Sequence, residues 1–201
     1  PGASGYPMTF TWDPNDLPAG NFFLRNHAST EAMIDMKNQS SYVISDTAID
    51  SLVIEYNETL SQMMSVDSLW NLVSAPLHGS DMSIASLFTE ATSSAFAFNG
   101  SGYVQIDSAE IGKGFWLKFD QAHNIAMEGN RLVDPIEVDS GWNIIGPFDE
   151  EVAVSQIVSS PSGIVTTSYF GYQNAYVTVS TLSPGKAYWV KTNQSGTLDF
   201  T

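Results

Sequence analysis

Met8, Phe10 and Trp12 alternate with Thr9 and Thr11, the two-residue period of a strand with one buried face. Asp13-Pro14-Asn15-Asp16 and Pro18-Ala19-Gly20 then interrupt it with turn-forming residues. Further strand segments occur at 22–25, 32–36, 42–44 and 52–56, the last alternating Leu52, Ile54 and Tyr56 with Val53 and Glu55. Strands at this spacing, separated by turn signals, predict a β-sandwich-like region over residues 1–60. So short a segment is a marginal sandwich by itself, and either docks on the rest of the chain or is the end of a truncated domain. Residues 57–67 are polar around a brief apolar centre and read as a linker or a short turn of helix, with the domain boundary falling there.

From Ser68 onward the pattern repeats. Trp70-Asn71-Leu72-Val73 returns as Trp142-Asn143-Ile144-Ile145, an interval of 72 residues. Gly112-Lys113-Gly114-Phe115-Trp116-Leu117-Lys118 returns as Gly185-Lys186-Ala187-Tyr188-Trp189-Val190-Lys191, and Tyr103-Val104 as Tyr176-Val177, both at an interval of 73. Ser83-Ile84-Ala85-Ser86-Leu87 pairs with Ala153-Val154-Ser155-Gln156-Ile157 as a short helix or a strand edge. Phe98 to Tyr103 and Tyr172 to Tyr176 each read as a hairpin with an aromatic residue at both ends. These agreements predict an all-β chain: a short β-sandwich-like N-terminal region, then a tandemly duplicated β domain over residues 61–201. Repeat one spans 68–139 and repeat two 140–201, each of about 70 residues, burying one shared core.

Charge narrows the partners. The 201 residues carry 22 acidic against 7 basic side chains, a formal net charge of −15, so nucleic acid and anionic membrane surfaces are disfavoured. A neutral glycan or a divalent cation is compatible with such a field. Charged residues are only 14% of the chain, and hydroxyl and amide side chains carry its solubility, as in many secreted β-proteins. With no cysteine, disulfides, thiolate nucleophiles and thiolate metal sites are excluded. No apolar run reaches the ~20 residues of a membrane-spanning helix, so no membrane insertion is expected. Beginning Pro1-Gly2-Ala3, without Met, the sequence reads as a processed or excised piece of a longer polypeptide.

Candidate chemistry centres on the repeated strand. Trp116 and Lys118, and likewise Trp189 and Lys191, lie two positions apart and so share a strand face. Exposed, they would stack on a sugar ring while the ammonium donates to its hydroxyls; buried, they would seal repeat against repeat with the lysine stems along them. Phe115, Leu117 and Phe119, with Tyr188 and Val190, occupy the opposite face and are the expected core. Tyr172, Asn174 and Tyr176 at a hairpin tip combine rigid rings with an amide, which suits polar recognition, or simply pin the hairpin by cross-strand pairing. The lysines of the motif (Lys113, Lys118, Lys186, Lys191) supply local positive charge that neighbouring carboxylates can pair with. Asp134, Glu137 and Asp139, and Asp149-Glu150-Glu151, are acidic clusters to which structural calcium is chemically suited, though no EF-hand spacing supports it and solvated loop charge is the better reading. No metal site, cofactor or catalytic residue is assigned: His27, His78 and His123 are scattered, and no Gly-x-Ser-x-Gly elbow occurs.

Together the Trp-Asn-Leu/Ile strand, the aromatic hairpin and the Pro-Gly-Lys-Ala-Tyr-Trp-Val-Lys ending resemble a β-repeat of large secreted bacterial proteins, often found near type IX secretion sorting modules. The resemblance covers residues 68–201, and residues 6–56 look like the β-region that commonly precedes such repeats. It implies an extracellular or cell-surface location, attachment to other domains of a longer secreted chain, and no catalytic residue. The expected function is a non-catalytic accessory module that binds polysaccharide or a cell-surface glycan through exposed aromatics. The alternative is a structural or adhesive spacer, or a self-assembling segment of a surface protein.

Overall fold

A computed structural model of the chain describes residues 5–18, 20–27, 34–132 and 134–200. The described residues are all-β, interrupted by one turn of α-helix (α1, Ile84–Leu87) and by 3-10 turns at Pro14–Asp16 and Val154–Gln156. They divide into two compact units, Pro1–Thr59 and Leu60–Thr201.

The first unit contains strands β1 (Met8–Thr11), β2 (Asn21–Asn26), β3 (Ile34–Asp35), β4 (Ser41–Ile44) and β5 (Leu52–Asn57). β1 and β4 form one antiparallel pair, and β3-β2-β5 a three-stranded sheet. Inward positions of the alternating segments make the core, with Phe22, Leu24, Ile34 and Met36 packed against Trp12, Leu17, Tyr42 and Leu52. The Trp12 indole is satisfied by donating to Met36 O at 2.8 Å. The strand expected at 32–36 is seen from Ile34 onward, residues 32 and 33 lying outside the described residues.

The second unit begins with a correction. Residues 57–67 are no linker: β6 (Thr59–Val66) is an eight-residue strand whose inward positions include Met64 and Val66. Its apolar alternation is broken at Gln62, which faces inward because its amide donates to Asp149 O. The strands after it are β7 (Leu69–Ser74), β8 (Ala95–Phe98), β9 (Tyr103–Ile106), β10 (Gly114–Phe119), β11 (His123–Asn130), β12 (Ile136–Val138), β13 (Gly141–Ile145), β14 (Val152–Ala153), β15 (Val158–Ser160), β16 (Tyr169–Tyr172), β17 (Tyr176–Val179), β18 (Thr181–Leu182), β19 (Tyr188–Thr192) and β20 (Gly196–Asp199).

Two four-stranded antiparallel sheets dominate, ordered β7-β10-β8-β9 and β13-β19-β16-β17. Each places its first strand beside its last, then its second and third. A smaller sheet backs each one: β11-β6 behind the first and β12-β20-β15 behind the second. Val73, Phe115, Leu117 and Phe119 pack on Met64, Val66, Ile125 and Met127 in one core. Ile145, Tyr188 and Val190 pack on Ile136, Val138 and Leu198 in the other. The face expected to be core is therefore core in both halves, and burying each such aromatic side chain contributes on the order of 2–3 kcal/mol.

The repeated Trp-Asn has a structural reason. Asn71 Oδ1 accepts from Asp67 N at 2.9 Å while its Nδ2 donates to Asp67 O at 2.8 Å and Leu69 O at 3.1 Å. Asn143 makes the same bonds to Asp139 N, Asp139 O and Gly141 O at 2.9, 2.8 and 3.1 Å. One amide thus clasps the turn that feeds each first strand.

The two halves are joined reciprocally. Val73 bridges Lys186 while Ile145 bridges Lys113, and Ser74 N donates to Gly185 O as Gly146 N donates to Gly112 O. Gly112 (φ 81°) and Gly185 (φ 78°) hold the left-handed conformation these turns require. A Cβ there would also strike Ile136 and Met64 respectively. The adjoining lysines reach across: Lys186 Nζ donates to Ser65 O at 2.5 Å and Lys113 Nζ to Glu137 O. These ammonium groups are held by backbone carbonyls rather than by the carboxylates the sequence suggests. Burial pulls the Lys186 pKa below its ordinary value, with Asp67 opposing.

Candidate functional site

Exposure grows along both first strands with distance from this stitch. Ser74, Gly146, Leu72 and Ile144 are all buried, the last two at 3% and 5% exposed, whereas Trp70 and Trp142 reach 41% and 40%. The two large sheets therefore meet tightly at one end of their Trp-bearing faces and leave an aromatic cleft toward the other. Leu72, Ile144, Ala187 and Trp189 form the closed end, flanked by Phe98, Trp116, Phe170 and Tyr172.

A pocket of about 420 Å³ opens in this cleft, lined by Phe98, Trp142, Phe170, Tyr176 and Trp189. Register explains the grouping. Trp142 sits opposite Lys191 and Ile144 opposite Trp189 on β13 and β19, and Trp189 sits opposite Phe170 on β16, so these side chains share a face. Phe98 comes from the other sheet, its ring 5.0 Å from Trp189 in an edge-to-face contact. Trp142 stands edge-on to Trp189 at 6.0 Å and tilts against Phe170 at 6.2 Å. The Lys191 ammonium lies 5.9 Å from the Trp142 ring, a cation–π contact at the rim.

Two indole N–H groups lie buried beside this cleft. Trp116 Nε1 is shielded from solvent with no hydrogen-bond partner, and Trp189 Nε1, equally shielded, has the Tyr176 hydroxyl as its neighbour. An unpaired buried donor such as that of Trp116 costs about 1–3 kcal/mol. The Trp189 indole, a donor only, interacts with the Tyr176 hydroxyl as acceptor and opposes the rise of its pKa, which burial and then Tyr103 push upward.

The residues singled out in the sequence distribute unevenly. Trp189 and Tyr176 line the pocket, and Lys191 sits at its edge against Trp142 rather than beside its own strand's tryptophan. Trp116 is half-buried, 4.7 Å from Tyr172 and 6.5 Å from Tyr176, so it seals one half against the other. Lys118 is half-buried opposite Trp70. Asn174 is exposed at φ 61° in the β16–β17 turn, where its role is to close the hairpin.

Phe98, Trp142 and Phe170 were not singled out as site residues. The signal was present: Trp142 belongs to the repeated Trp-Asn pair, and its face follows once β13 is set beside β19. The acidic cluster at 149–151 is engaged internally. Arg131 Nε donates to both Asp149 oxygens at 2.8 and 2.9 Å, its Nη2 donates to Glu150, and Glu151 accepts from Ser183 Oγ. Among the described residues no group of three or more His, Asp or Glu side chains is placed to hold a metal ion.

Comparison with protein-family models, with curated proteins and with solved structures found no match.

Proposed function

We propose that residues 60–201 form a non-catalytic, extracellular binding module for neutral glycans, built from two copies of one ancestral β-unit and carried on a longer secreted chain. The observation behind this reading is the aromatic cleft, with Trp142 40% exposed in its wall and the Lys191 ammonium beside that ring. A pyranose ring offers a flat apolar C–H face for Trp142 and hydroxyls for the Lys191 ammonium at the rim, so it suits both groups. A purely hydrocarbon ligand suits only the first. The charge of −15 adds a field that rejects anionic polymers.

The test is retention on insoluble cellulose, chitin and xylan, together with quenching of tryptophan emission by their soluble oligosaccharides. Trp142→Ala is expected to weaken binding roughly tenfold to a hundredfold, the loss typical of an aromatic anchor. Lack of retention across the panel, with emission unmoved, sinks the reading. The competing reading, an adhesive spacer, draws on the exposed Phe10, Val43, Ile54 and Tyr56 of the first unit. It requires concentration-dependent assembly in size-exclusion chromatography that persists in the Trp142→Ala variant.

A further inference from the structure

The aromatic residues of the pocket have counterparts across the seam. Trp142, Phe170 and Trp189 of the second half occupy the positions that Trp70, Phe96 and Trp116 occupy in the first, as the registers Ile144–Trp189–Phe170 and Leu72–Trp116–Phe96 require. The likeness extends to geometry. Trp70 stands 6.2 Å from Phe96 at 56°, and Trp142 stands 6.2 Å from Phe170 at 57°. Both outer tryptophans are open to the same degree, 41% and 40%. Both inner tryptophans carry an Nε1 shielded from solvent. Trp116 is capped by Tyr172 as Trp189 is capped by Phe98, one ring from the opposite half in each case.

Between them lie Tyr103 and Tyr176, equivalent residues whose side chains interact with each other. Equivalent residues can touch only at the axis that relates the halves. Gly114 and Ala187, also equivalent, meet closely as well. The two aromatic sites therefore flank this axis, one on each side.

We infer that the cleft is a pair of subsites, Trp70–Phe96–Trp116 and Trp142–Phe170–Trp189, that bind successive stretches of one neutral polysaccharide chain across the Tyr103–Tyr176 centre. This rests on the glycan-binding reading above. Internal units of a chain are the fitting ligand because the pocket wall is almost wholly aromatic. Recognition of a terminal sugar requires polar side chains that count its hydroxyls, and Phe98, Trp142, Phe170, Tyr176 and Trp189 offer only an indole or phenol edge. Linking two weak stacking sites through one chain raises affinity without any new contact.

The experiment is calorimetric titration with cello-, xylo- and chito-oligosaccharides from dimer to hexamer. Short ligands are expected to bind weakly at two sites per chain. The hexamer is expected to bind at one site per chain, about 10²-fold more tightly. Trp70→Ala and Trp142→Ala should each return the hexamer to near-dimer affinity. Both residues are well exposed, so near-ultraviolet circular dichroism should show the variants folded. A hexamer that binds no better than the dimer, or that ignores Trp70→Ala, overturns the paired subsites while leaving a single-pocket lectin intact. Binding of none of these sugars removes the glycan reading and this inference with it. Dimerisation of the chain that is lost in both variants also overturns it, because the cleft would then receive a second copy.

Discussion

The two halves of the second unit agree in what holds the backbone and differ in what fills the seam. The Asn71 and Asn143 clasps match bond for bond. So do the hydroxyl supports of the last strands. Ser93 Oγ accepts from Lys118 N as Thr167 Oγ1 accepts from Lys191 N, and Thr92 N and Thr166 N donate to the carbonyls of Lys118 and Lys191, both at 2.8 Å. At the axis the halves diverge. Gly114 faces Ala187, Ser74 faces Gly146, and Ile144 stands where the other half has Leu72. Two identical surfaces would collide there, so one side gives way wherever the other is filled. The cores diverge too, with Tyr169 and Tyr188 in the second half where the first has Ala95 and Phe115.

The seam offers the most severe way to break this correspondence. A Cβ on Gly114 would fall 2.3 Å from Ala187 Cβ and 2.4 Å from Ile144 Cγ2. Gly114→Ala is expected to cost about 3 kcal/mol in urea denaturation, at the upper end of overpacking losses. Adding Ala187→Gly removes one collision, and Ile144→Leu removes the branched methyl behind the other. The triple variant hands the first half's arrangement to the second and should recover most of the loss. Failure to recover would mean the halves are not interchangeable at the axis.

Alkaline pH distinguishes the two cores. Burial raises the Tyr169 hydroxyl to about 12 and also raises Tyr188, whose oxygen accepts from Ser183 N at 2.8 Å. A raised folded-state pKa means the native state holds its proton longer than the unfolded chain. The associated stability is full below about pH 10 and is lost as pH climbs toward about 12, by roughly 2 kcal/mol for Tyr169. Lys186, shifted downward, acts in the opposite sense. Chemical denaturation across this range should show the decline, and Tyr169→Phe should flatten it. The matching core of the first half has no such hydroxyl to titrate.

The gentlest test concerns the turns before the first strands. Gly141 has φ 105°, whereas the corresponding Leu69 has φ 70° and is 58% exposed. A left-handed conformation costs a side-chain-bearing residue roughly 1–2 kcal/mol, part of which glycine's greater unfolded-state freedom offsets. Leu69→Gly should therefore raise stability by about 0.5 kcal/mol, seen as a small increase in the denaturation midpoint. A decrease would mean that the Leu69 side chain contributes packing that its exposure conceals.

Much of the all-β architecture was legible in the residues because alternation is a local signal. Strand positions in the first unit, the aromatic hairpins at 98–103 and 172–176, and the buried Phe115-Leu117-Phe119 face all come from period two. β6 was missed because Gln62 breaks the apolar alternation, and its inward placement depends on a carbonyl 87 residues away. The hydroxyl supports at Thr92-Ser93 and Thr166-Thr167 read as loop composition until Lys118 and Lys191 are placed beside them. The site was half-legible. Trp189 and Tyr176 stood out by repetition and chemistry, but Phe98 enters only when the opposite sheet is laid against them.

The reciprocal stitch has a kinetic consequence. Ser74 N and Gly146 N each donate across the seam, and each is buried. Neither amide can meet solvent unless the halves part, and parting exposes both at once. In hydrogen exchange the two should act as one reporter, opening with a common free energy although they belong to different sheets. The second unit would then carry one cooperative opening between its halves, and these two amides would time it.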